Sequence, residues 1–283
     1  MKNESKEIIE YRALSGISIT YENAPTHFPP HWHSAAEFTV VRKDRCSYRI
    51  QDTVYRAAKG DLILIWPREL HEVISTPKEG TVFIQFSPTI LEQNLDMVAI
   101  SRLMTGCHII RAEEEPEITA SVAEKVDKIR DIFEHRDYFS ETKCKLLIYE
   151  ILLLIGDYVL REQGEQFGEE HFTGPAWSYI RSICNVIAER SGERLTEVDV
   201  AAAVGLSPFY FSKLFRKYMQ TSFPGYLAAV RVRTAIRLLA DEDLSITDCA
   251  FQAGFQSTTT FNKAFREVTG YSPREYRKLH SGS

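Results

Sequence analysis

The sequence predicts an α+β chain of two domains, in which an antiparallel β-barrel with a helical hairpin precedes an all-α domain of two helix–turn–helix units. Three observations support this fold class: strand-like runs fill residues 8–88, helical periodicity follows from about residue 117, and a later segment repeats at an offset of 50 residues. A length of 283 residues is sufficient for two cores. The predicted boundaries are 1–162 for the first domain, 163–175 for a linker and 176–283 for the second domain.

The composition is typical of a soluble globular protein, with 44% hydrophobic and 26% charged residues. The five cysteines are scattered and form no C-x-x-C pair, which argues against a disulfide framework or a thiolate zinc site and favours a reducing compartment. The amino-terminal stretch MKNESKEIIEYR is charged and lacks the apolar core of a signal peptide. We therefore expect a cytoplasmic location.

The net charge of −5 is unevenly distributed along the chain. From Pro175 onward 14 lysines and arginines stand against 10 aspartates and glutamates, a net of +4, whereas the preceding part carries −9. A basic carboxyl-terminal part behind an acidic body favours a nucleic-acid partner.

Six short runs within residues 8–88 are β-branched or aromatic and are separated by turn residues, as expected for strands. They are GISITY, EFTVV, CSYRI, VYRAA, DLILIW and TVFIQFS. Regular spacing of this kind predicts a small antiparallel barrel or sandwich.

Apolar residues recur at helical spacing in residues 117–135 and 140–162, which predicts a helical hairpin after the barrel. Its apolar stripe has two interpretations: contact with a partner subunit, or packing onto the barrel. The polar, acidic stretch EQGEQFGEEHFTGP (162–175) that follows is typical of a linker.

The carboxyl-terminal part matches itself when it is shifted by 50 residues, which indicates a duplicated unit. Seven identical pairs fall in one frame between residues 207–226 and 257–276: Ser207/Ser257, Phe211/Phe261, Lys213/Lys263, Phe215/Phe265, Arg216/Arg266, Ser222/Ser272 and Tyr226/Tyr276. In each copy a short helix ends at a glycine suited to a left-handed turn, Gly205 or Gly254, and a serine suited to N-capping precedes a second helix. This order of features is typical of a helix–turn–helix unit.

Each second helix has an inward and an outward face. Its aromatic residues at positions i and i+4 are expected in the core. Its early outward residues are free to reach base edges, and they are Pro208, Phe209, Ser212 and Lys213 in the first copy and Thr258, Thr259, Asn262 and Lys263 in the second.

Residues 176–280 resemble the double helix–turn–helix DNA-binding domain of AraC/XylS-family transcription regulators. The matching residues of the segment SITDCAFQAGFQSTTTFNKAFREVTGYSPREYRK are Ile246, Ala250, Gly254, Phe255, Phe261, Phe265, Gly270, Pro273 and Tyr276. The resemblance implies that residues 222–241 form a linker helix, which holds two DNA-reading heads about 34 Å apart on one face of the duplex. We expect its basic residues Arg231, Arg233 and Arg237 to be solvated or paired within the domain, with contact to backbone phosphates as the alternative.

Two departures from the family's pattern affect the recognition helix of the first helix–turn–helix unit. Pro208 stands where the family often reads DNA with a polar side chain, and Ser212 is short. The first copy would then depend on Lys213 and on contact between Phe209 and a thymine methyl group. The threonine-rich start of the second copy suits phosphate anchoring as well as base readout.

Family members commonly carry an amino-terminal cupin-like barrel, and two motifs here resemble the cupin motifs. HWHSAAE is similar to the first motif, and GDLILIWPRELH is similar to the second. The four usual metal-ligand positions are filled by His31, His33, Glu37 and His71. On a strand the first two histidines would point the same way. Pro25 and Asp44 depart from the first motif, where glycine is usual.

This set of side chains has two interpretations, which differ in whether an ion is bound. In one, three imidazoles and a carboxylate hold a divalent metal ion such as zinc, nickel, manganese or iron. In the other, His31, His33, Glu37 and His71 hydrogen-bond the hydroxyl groups of an effector directly, without metal. Trp66, beside the second motif, either lines the pocket mouth and stacks on a sugar ring, or packs elsewhere.

The resemblance implies a ligand-responsive transcription regulator, and we expect an activator of carbohydrate-related genes that senses a sugar in the barrel. The expected partners are promoter DNA, the small-molecule effector, a second copy of the chain and RNA polymerase. One alternative is a constitutive DNA-binding regulator whose barrel only dimerises the chain. The other is a metal-dependent cupin enzyme, although no nucleotide loop, nucleophile elbow or HExxH motif occurs.

Overall fold

The computed structural model of the chain describes residues 5–7, 9, 14, 16–21, 24–92, 94–163, 175–219 and 221–280. The chain divides into two compact units, Met1–Gln166 and Phe167–Ser283. Of the predicted linker 163–175, residues 164–174 lie outside the described residues, whereas Gln163 ends one helix and Pro175 begins the next.

The described part of the first unit contains ten strands in two five-stranded sheets. They are β1 (Ser5–Lys6), β2 (Ile17–Tyr21), β3 (Thr26–Trp32), β4 (Ala36–Val41), β5 (Cys46–Ile50), β6 (Thr53–Ala57), β7 (Leu62–Ile65), β8 (His71–Thr76), β9 (Thr81–Phe86) and β10 (Ile109–Ile110). The strand orders are β1-β3-β8-β5-β6 and β10-β7-β4-β9-β2. The short pairing of β1 with β3 is parallel, and the other named strand pairs are antiparallel.

The two sheets pack face to face because alternate residues of their strands are apolar. In β5 the side chains of Cys46, Tyr48 and Ile50 are buried, and the residues between them are half-buried. They meet Ile63 and Ile65 of the opposite sheet in one apolar cluster. This packing confirms the predicted cupin-like antiparallel β domain.

Within residues 8–88 the six predicted runs missed two strands, β3 and β8, and these two carry His31 and His71. β3 contains Pro29 and Pro30, which lack the backbone N–H that a strand donates, so its sequence does not indicate a strand. Its pairing with β8 is also irregular, with register shifts between Thr26 and His31.

Helices cover one sheet of the barrel and form the predicted hairpin. The helices are α1 (Thr89–Glu92), α2 (Leu95–Thr105), α3 (Pro116–Glu134) and α4 (Ser140–Gln163). α3 contacts β2, β4 and β9 and buries Val122, Val126 and Ile129, so this half of the hairpin packs onto the barrel. α4 packs against α3 and α2 but leaves Leu146 and Leu153 half exposed or more.

The described part of the second unit is entirely helical. Its helices are α5 (Pro175–Arg190), α6 (Glu197–Ala203), α7 (Pro208–Met219), α8 (Phe223–Leu239), α9 (Ile246–Gln252), α10 (Thr258–Thr269) and α11 (Pro273–His280). Within the described ranges, no single helix is long and apolar enough to span a membrane. Only α6 and α7 taken together reach that length and apolar composition, and the chain bends by 97° between them.

The duplicated unit is visible as two helix–turn–helix arrangements, α6–α7 and α9–α10. The 97° bend between α6 and α7 is typical of this motif. Gly205 and Gly254 adopt φ values of +73° and +95°, which confirms the predicted left-handed turns. The hydroxyl groups of Ser207 and Ser257 accept hydrogen bonds from the backbone N–H groups three residues later, as N-caps do.

The aromatic residues of both second helices lie in the core, as predicted. Phe211 stacks on Phe215 with ring centroids 5.5 Å apart, and Phe261 meets Phe265 at 5.4 Å. All four side chains are buried. The outward faces of α7 and α10 are therefore left for other contacts.

Candidate functional sites

Three histidines converge inside the first unit. His31 near the end of β3 stands opposite His71, the first residue of β8, and His33 follows β3 directly. The ring centroid of His71 lies 4.1 Å from that of His31 and 4.8 Å from that of His33. One ligand nitrogen from each ring lies within 4.8 Å of the others, and this is the one such group of three or more His, Cys, Asp or Glu side chains among the described residues.

Backbone carbonyls fix which nitrogen of each ring faces its neighbours. The Nδ1 atoms of His31, His33 and His71 lie 2.8, 3.0 and 2.9 Å from the carbonyl oxygens of Pro29, Ala35 and Glu69. Because a carbonyl only accepts hydrogen bonds, each Nδ1 must carry a proton and donate it. The Nε2 atoms are therefore the nitrogens left for the interior of the pocket.

Glu37 on β4 supplies a buried negative charge beside these rings. Its Oε2 atom lies 3.2 Å from the Nε2 atom of His33 and accepts a hydrogen bond from the amide of Gln85 at 2.9 Å. Burial alone would raise the pKa of Glu37, but the hydrogen bonds from His33 and Gln85 and the charges of His33 and His71 lower it to about 2. Glu37 is consequently ionised at neutral pH.

The environments of His31 and His71 differ. Burial lowers the pKa of His71 to about 4, and its Nε2 atom is buried without a hydrogen-bond partner. Burial would also lower the pKa of His31, but hydrogen bonds to Glu7 and to the Pro29 carbonyl, together with the charges of Glu7 and Glu37, raise it. The Oε2 atom of Glu7 lies 3.4 Å from the Nε2 atom of His31, at the exposed side of the pocket.

The pocket around these groups is small. It encloses about 30 Å³, which is room for one or two water-sized groups. Its wall includes residues that the sequence reasoning missed, namely Glu7, Phe28, Tyr48, Val73, Thr81, Phe83 and Gln85. Gln85 stands directly opposite Glu37 in the pairing of β4 with β9, so strand register was the signal needed to find it.

Trp66 lies outside this pocket, which corrects the interpretation that it lines the pocket mouth. Its side chain is 1% exposed and packs edge-on against Phe38, with ring centroids 5.3 Å apart. The indole N–H donates a hydrogen bond to the carbonyl of Cys107 at 2.9 Å. Phe38 is the neighbour of Glu37 on β4 and points to the opposite face of the sheet, so Trp66 is a core residue behind the pocket.

The early outward residues of α7 and α10 are largely accessible. Phe209 is 81% exposed, and Lys213, Thr259, Asn262 and Lys263 are also exposed. Ser212 and Thr258 are half-buried. The sequence reasoning did not select Tyr210, Arg216, Lys217 and Arg266, which are exposed on the same two helices. The identity of Arg216 and Arg266 in the repeat was the available signal for two of them.

The arginines of α8 make contacts within the domain. Arg231 donates hydrogen bonds to the carbonyls of Ser191 at 2.8 Å and Glu193 at 2.7 Å. Arg237 donates to the hydroxyl of Thr234 at 3.3 Å. These contacts agree with the expectation that the basic residues of α8 pair within the domain.

Two family models match the chain in the order of its two units. The model described as "AraC-like ligand binding domain" matches residues 15–123, and the model described as "Helix-turn-helix domain" matches residues 200–279. The first match contains the histidine pocket, and the second contains α7 and α10.

Curated relatives are similar to the chain over about half to most of their length. The chain is 26% identical over 251 residues to the melibiose operon regulatory protein of Escherichia coli K12, covering 88% of this chain and 83% of that protein. It is 24% identical to the HTH-type transcriptional activator RhaR of Pectobacterium carotovorum subsp. carotovorum, covering 89% of this chain and 86% of that protein. The Msm operon regulatory protein of Streptococcus mutans is 30% identical over 132 residues, covering 45% of this chain and 48% of that protein. With a ligand-binding domain matched in its first unit and a helix–turn–helix domain in its second, the chain belongs to the AraC family of transcription regulators.

Proposed function

We propose that this regulator binds a sugar or sugar derivative in the barrel and activates carbohydrate-related genes in response. Its relatives include proteins named for the melibiose and Msm operons and one named as a transcriptional activator. The single observation that carries the proposal is a buried polar pocket in the same chain as two exposed, lysine-bearing second helices. The buried polar pocket suits ligand recognition, and the exposed, lysine-bearing helices suit DNA binding.

The side chains of the pocket suit a polyhydroxylated ligand. Glu37 accepts hydrogen bonds and Gln85 both donates and accepts, while Tyr48 and Phe83 offer aromatic surface to a sugar ring. A sugar ring is larger than the present cavity of about 30 Å³, so it would enter at the exposed side, where Glu7 and Phe28 lie. Its binding would displace the Glu7 carboxylate from His31, which couples ligand entry to the segment that carries Glu7.

The DNA interface would be formed by the early outward residues of α7 and α10. Lys213 and Lys263, which are exposed, would contact phosphates or guanine, Asn262 would read adenine, and Phe209 would meet a thymine methyl group. Ser212, Thr258 and Thr259 would add hydroxyl contacts. The 14 cationic residues of the second unit supply the general attraction to the duplex.

The proposal includes a homodimer, contact with RNA polymerase and a cytoplasmic location. Leu146 and Leu153, seven residues apart on α4, are 58% and 50% exposed and form one apolar stripe suited to a second copy of the helix. The family consists of transcription regulators, and we propose that the pocket binds its ligand without catalysing a reaction.

A thermal-shift screen tests the effector part of this proposal. The full chain is melted with and without each member of a panel of mono- and disaccharides, and we expect at least one to raise the melting temperature in proportion to ln(1 + [L]/Kd). The variant Phe83→Ala, at the half-buried aromatic side chain of the pocket wall, serves as the pocket control and should lose the shift. If no sugar shifts the melting temperature at millimolar concentration, the alternative of a constitutive regulator whose barrel only dimerises is supported.

A further inference from the structure

The guanidinium of Arg231 on α8 joins segments of the second unit that are far apart in the chain. Its Nε atom donates a hydrogen bond to the carbonyl of Ser191 at 2.8 Å, and its Nη2 atom donates to the carbonyl of Glu193 at 2.7 Å. Its central carbon lies 5.9 Å from the centroid of the Phe255 ring, within the range of a cation–π contact. The two carbonyls belong to the turn between α5 and α6, and the ring belongs to the turn between α9 and α10.

These two turns belong to different copies of the helix–turn–helix, and they also touch each other. A Cβ atom placed on Gly254 would lie 2.4 Å from the carbonyl oxygen of Ser191 and 3.0 Å from the Nε atom of Arg231. At the equivalent glycine of the first copy, Gly205, none of the described atoms lies within 4 Å of the same position. The turn of the second copy is therefore packed against the segment that leads into the first copy, with Arg231 beside the contact.

The shape of the arginine side chain suits this junction. A guanidinium holds its N–H donors in a fixed planar fork, and two arms of that fork here reach two different carbonyls. Ser191 is buried, so the loss of Arg231 would remove a hydrogen-bond partner from a carbonyl that has little access to water. The paired arrangement of the two turns is consequently favoured over a separated one.

The position of Arg231 along α8 makes this junction important for the geometry of the whole second unit. α8 packs against α5 and α7 of the first copy and against α9 and α10 of the second. The rise of a helix, about 1.5 Å per residue, sets how far apart the two copies lie along it. Their rotation about the helix depends on contacts at its side, and Arg231, midway along Phe223–Leu239, makes such a contact with both copies.

We propose that Arg231 is a positioning residue for DNA recognition, whose guanidinium fork fixes α7 and α10 relative to each other by joining residues 191–193 to the turn at Gly254 and Phe255. The inference rests on the proposed DNA interface of these two helices, although Arg231 itself need not touch DNA. Its consequence is that the protein accepts two recognition sequences at one spacing. One base pair added between them rotates the second sequence by about one tenth of a turn around the duplex.

Binding to duplexes of different spacing tests this consequence. A duplex that the full-length protein selects from a random DNA pool is footprinted to locate its two recognition sequences, and versions with one base pair inserted or deleted between them are prepared. We expect each altered duplex to bind the parent about tenfold more weakly or worse, because one recognition helix loses its base contacts. Arg231→Met keeps the apolar stem but no donor, so it should bind the selected duplex more weakly and discriminate about threefold or less among the spacings.

Two further variants separate positioning from loss of charge. Arg231→Lys keeps the charge but lacks the planar fork, so its discrimination among the spacings should lie between those of the parent and Arg231→Met. Arg237→Met removes the same charge from an exposed side chain of α8 that donates to Thr234 within the same helix. It should discriminate among the spacings as the parent does, even if it binds all three duplexes more weakly.

A distance measurement without DNA tests the positioning role independently. Spin labels are attached at Lys217→Cys on α7 and Glu267→Cys on α10, both exposed positions, and the labelled full-length chain is diluted with unlabelled chain. We expect a narrow distribution of label-to-label distances with Arg231 in place, a broader one with Arg231→Met, and no broadening with Arg237→Met. The chain without the two new cysteines gives the background from the five native ones, which are buried or half-buried.

The outcomes distinguish this proposal from the proposed function. A distance distribution or a dependence on spacing that Arg231→Met leaves unchanged would overturn the positioning role. If that variant melts too early to be measured, Arg231→Lys decides, and identity with the parent in either measurement overturns it. A parent protein that selects no duplex would refute the proposed DNA interface, and the distance measurement would then decide the role of Arg231.

Discussion

The orientation of the pocket histidines is decided by single hydrogen bonds. Each ring is anchored by its Nδ1 atom to a carbonyl two residues away in the chain. The convergence of His31, His33 and His71 was implied by the resemblance to the two cupin motifs, and in the structure it arises from the pairing of β3 with β8, in which His31 stands opposite His71. The Gln85 amide and the Tyr48 ring could not be predicted in this way, because their place in the pocket depends on the register between separate strands.

The pKa of His71 predicts a pH dependence of stability in metal-free protein. Its folded-state pKa is about 4, below the ordinary value of 6.5, because burial disfavours the charged ring. Between these values the unfolded chain binds a proton that the folded chain does not, so stability is full above pH 6.5 and falls as the pH drops towards 4. The loss is on the order of 3 kcal/mol.

The variant His71→Gln isolates this contribution. With a chelator present, we expect its melting temperature to depend less on pH between 6.5 and 4 than that of the parent protein. The raised pKa of His31 acts in the opposite sense, but both proteins contain His31, so their difference reports on His71. Parallel curves for the two proteins would contradict the depressed pKa.

Charge reversal on the second helices tests the proposed DNA contacts. Lys213→Glu or Lys263→Glu should weaken binding to promoter DNA by about tenfold or more at fixed salt and reduce the slope of log K against log [salt] by about one. Both side chains are exposed, so the fold should tolerate the change. The control Lys59→Glu makes the same charge change in an exposed turn of the first unit. Equal losses in all three variants would indicate a general charge effect rather than direct contact.

At the scale of elements, strand and helix patterns predicted most of the fold where periodicity was intact. The expected helices 117–135 and 140–162 correspond to α3 and α4, and the expected linker helix 222–241 corresponds to α8. Prediction failed at β3, since its two prolines cannot donate to a ladder and only its position between β1 and β8 makes it a strand. α1, α2 and β10 lie in a stretch whose sequence showed no clear period.

The two turn glycines provide a matched pair, because the repeat places them equivalently but in different surroundings. A side chain at Gly254 would meet the Ser191 carbonyl at 2.4 Å, whereas none of the described atoms lies within 4 Å of one at Gly205. Gly205→Ala should therefore cost only the left-handed strain of about 1–2 kcal/mol. Gly254→Ala adds a clash with backbone and should cost about 3 kcal/mol or more.

Chemical denaturation of the two glycine variants measures this difference directly. We expect the unfolding transition of the second unit to shift much further for Gly254→Ala than for Gly205→Ala. Equal shifts would mean that the turn of the second copy can move away from residues 191–192.

Across the whole molecule, the sequence predicted two cores and an acidic amino-terminal part followed by a basic carboxyl-terminal part. The first unit contains the acidic barrel and the second contains the basic helices, and each has a separate apolar core. The seven identities of the repeat predicted the duplicated domain, because both copies bury a pair of phenylalanines in the same way. The effector could not be predicted, since the pocket wall combines residues from strands far apart in the chain.

The apolar stripe of α4 predicts how two copies associate. Replacing Leu146 and Leu153 together by glutamate should convert a dimer to a monomer in sedimentation experiments, because charges cannot be buried between helices without a partner. Both leucines are exposed in the single chain, so its stability should change little. A monomeric parent protein, or a dimeric double variant, would contradict this use of α4.

In the proposed function, occupancy of the barrel pocket changes DNA binding by the second unit. The direct measurement is the affinity of the full-length protein for a duplex that it selects from a random DNA pool, at fixed salt, with and without the sugar that gives the largest thermal shift. We predict a change of about 5- to 150-fold, absent in Phe83→Ala. An affinity that is unchanged at a saturating concentration of every sugar that binds would contradict the account.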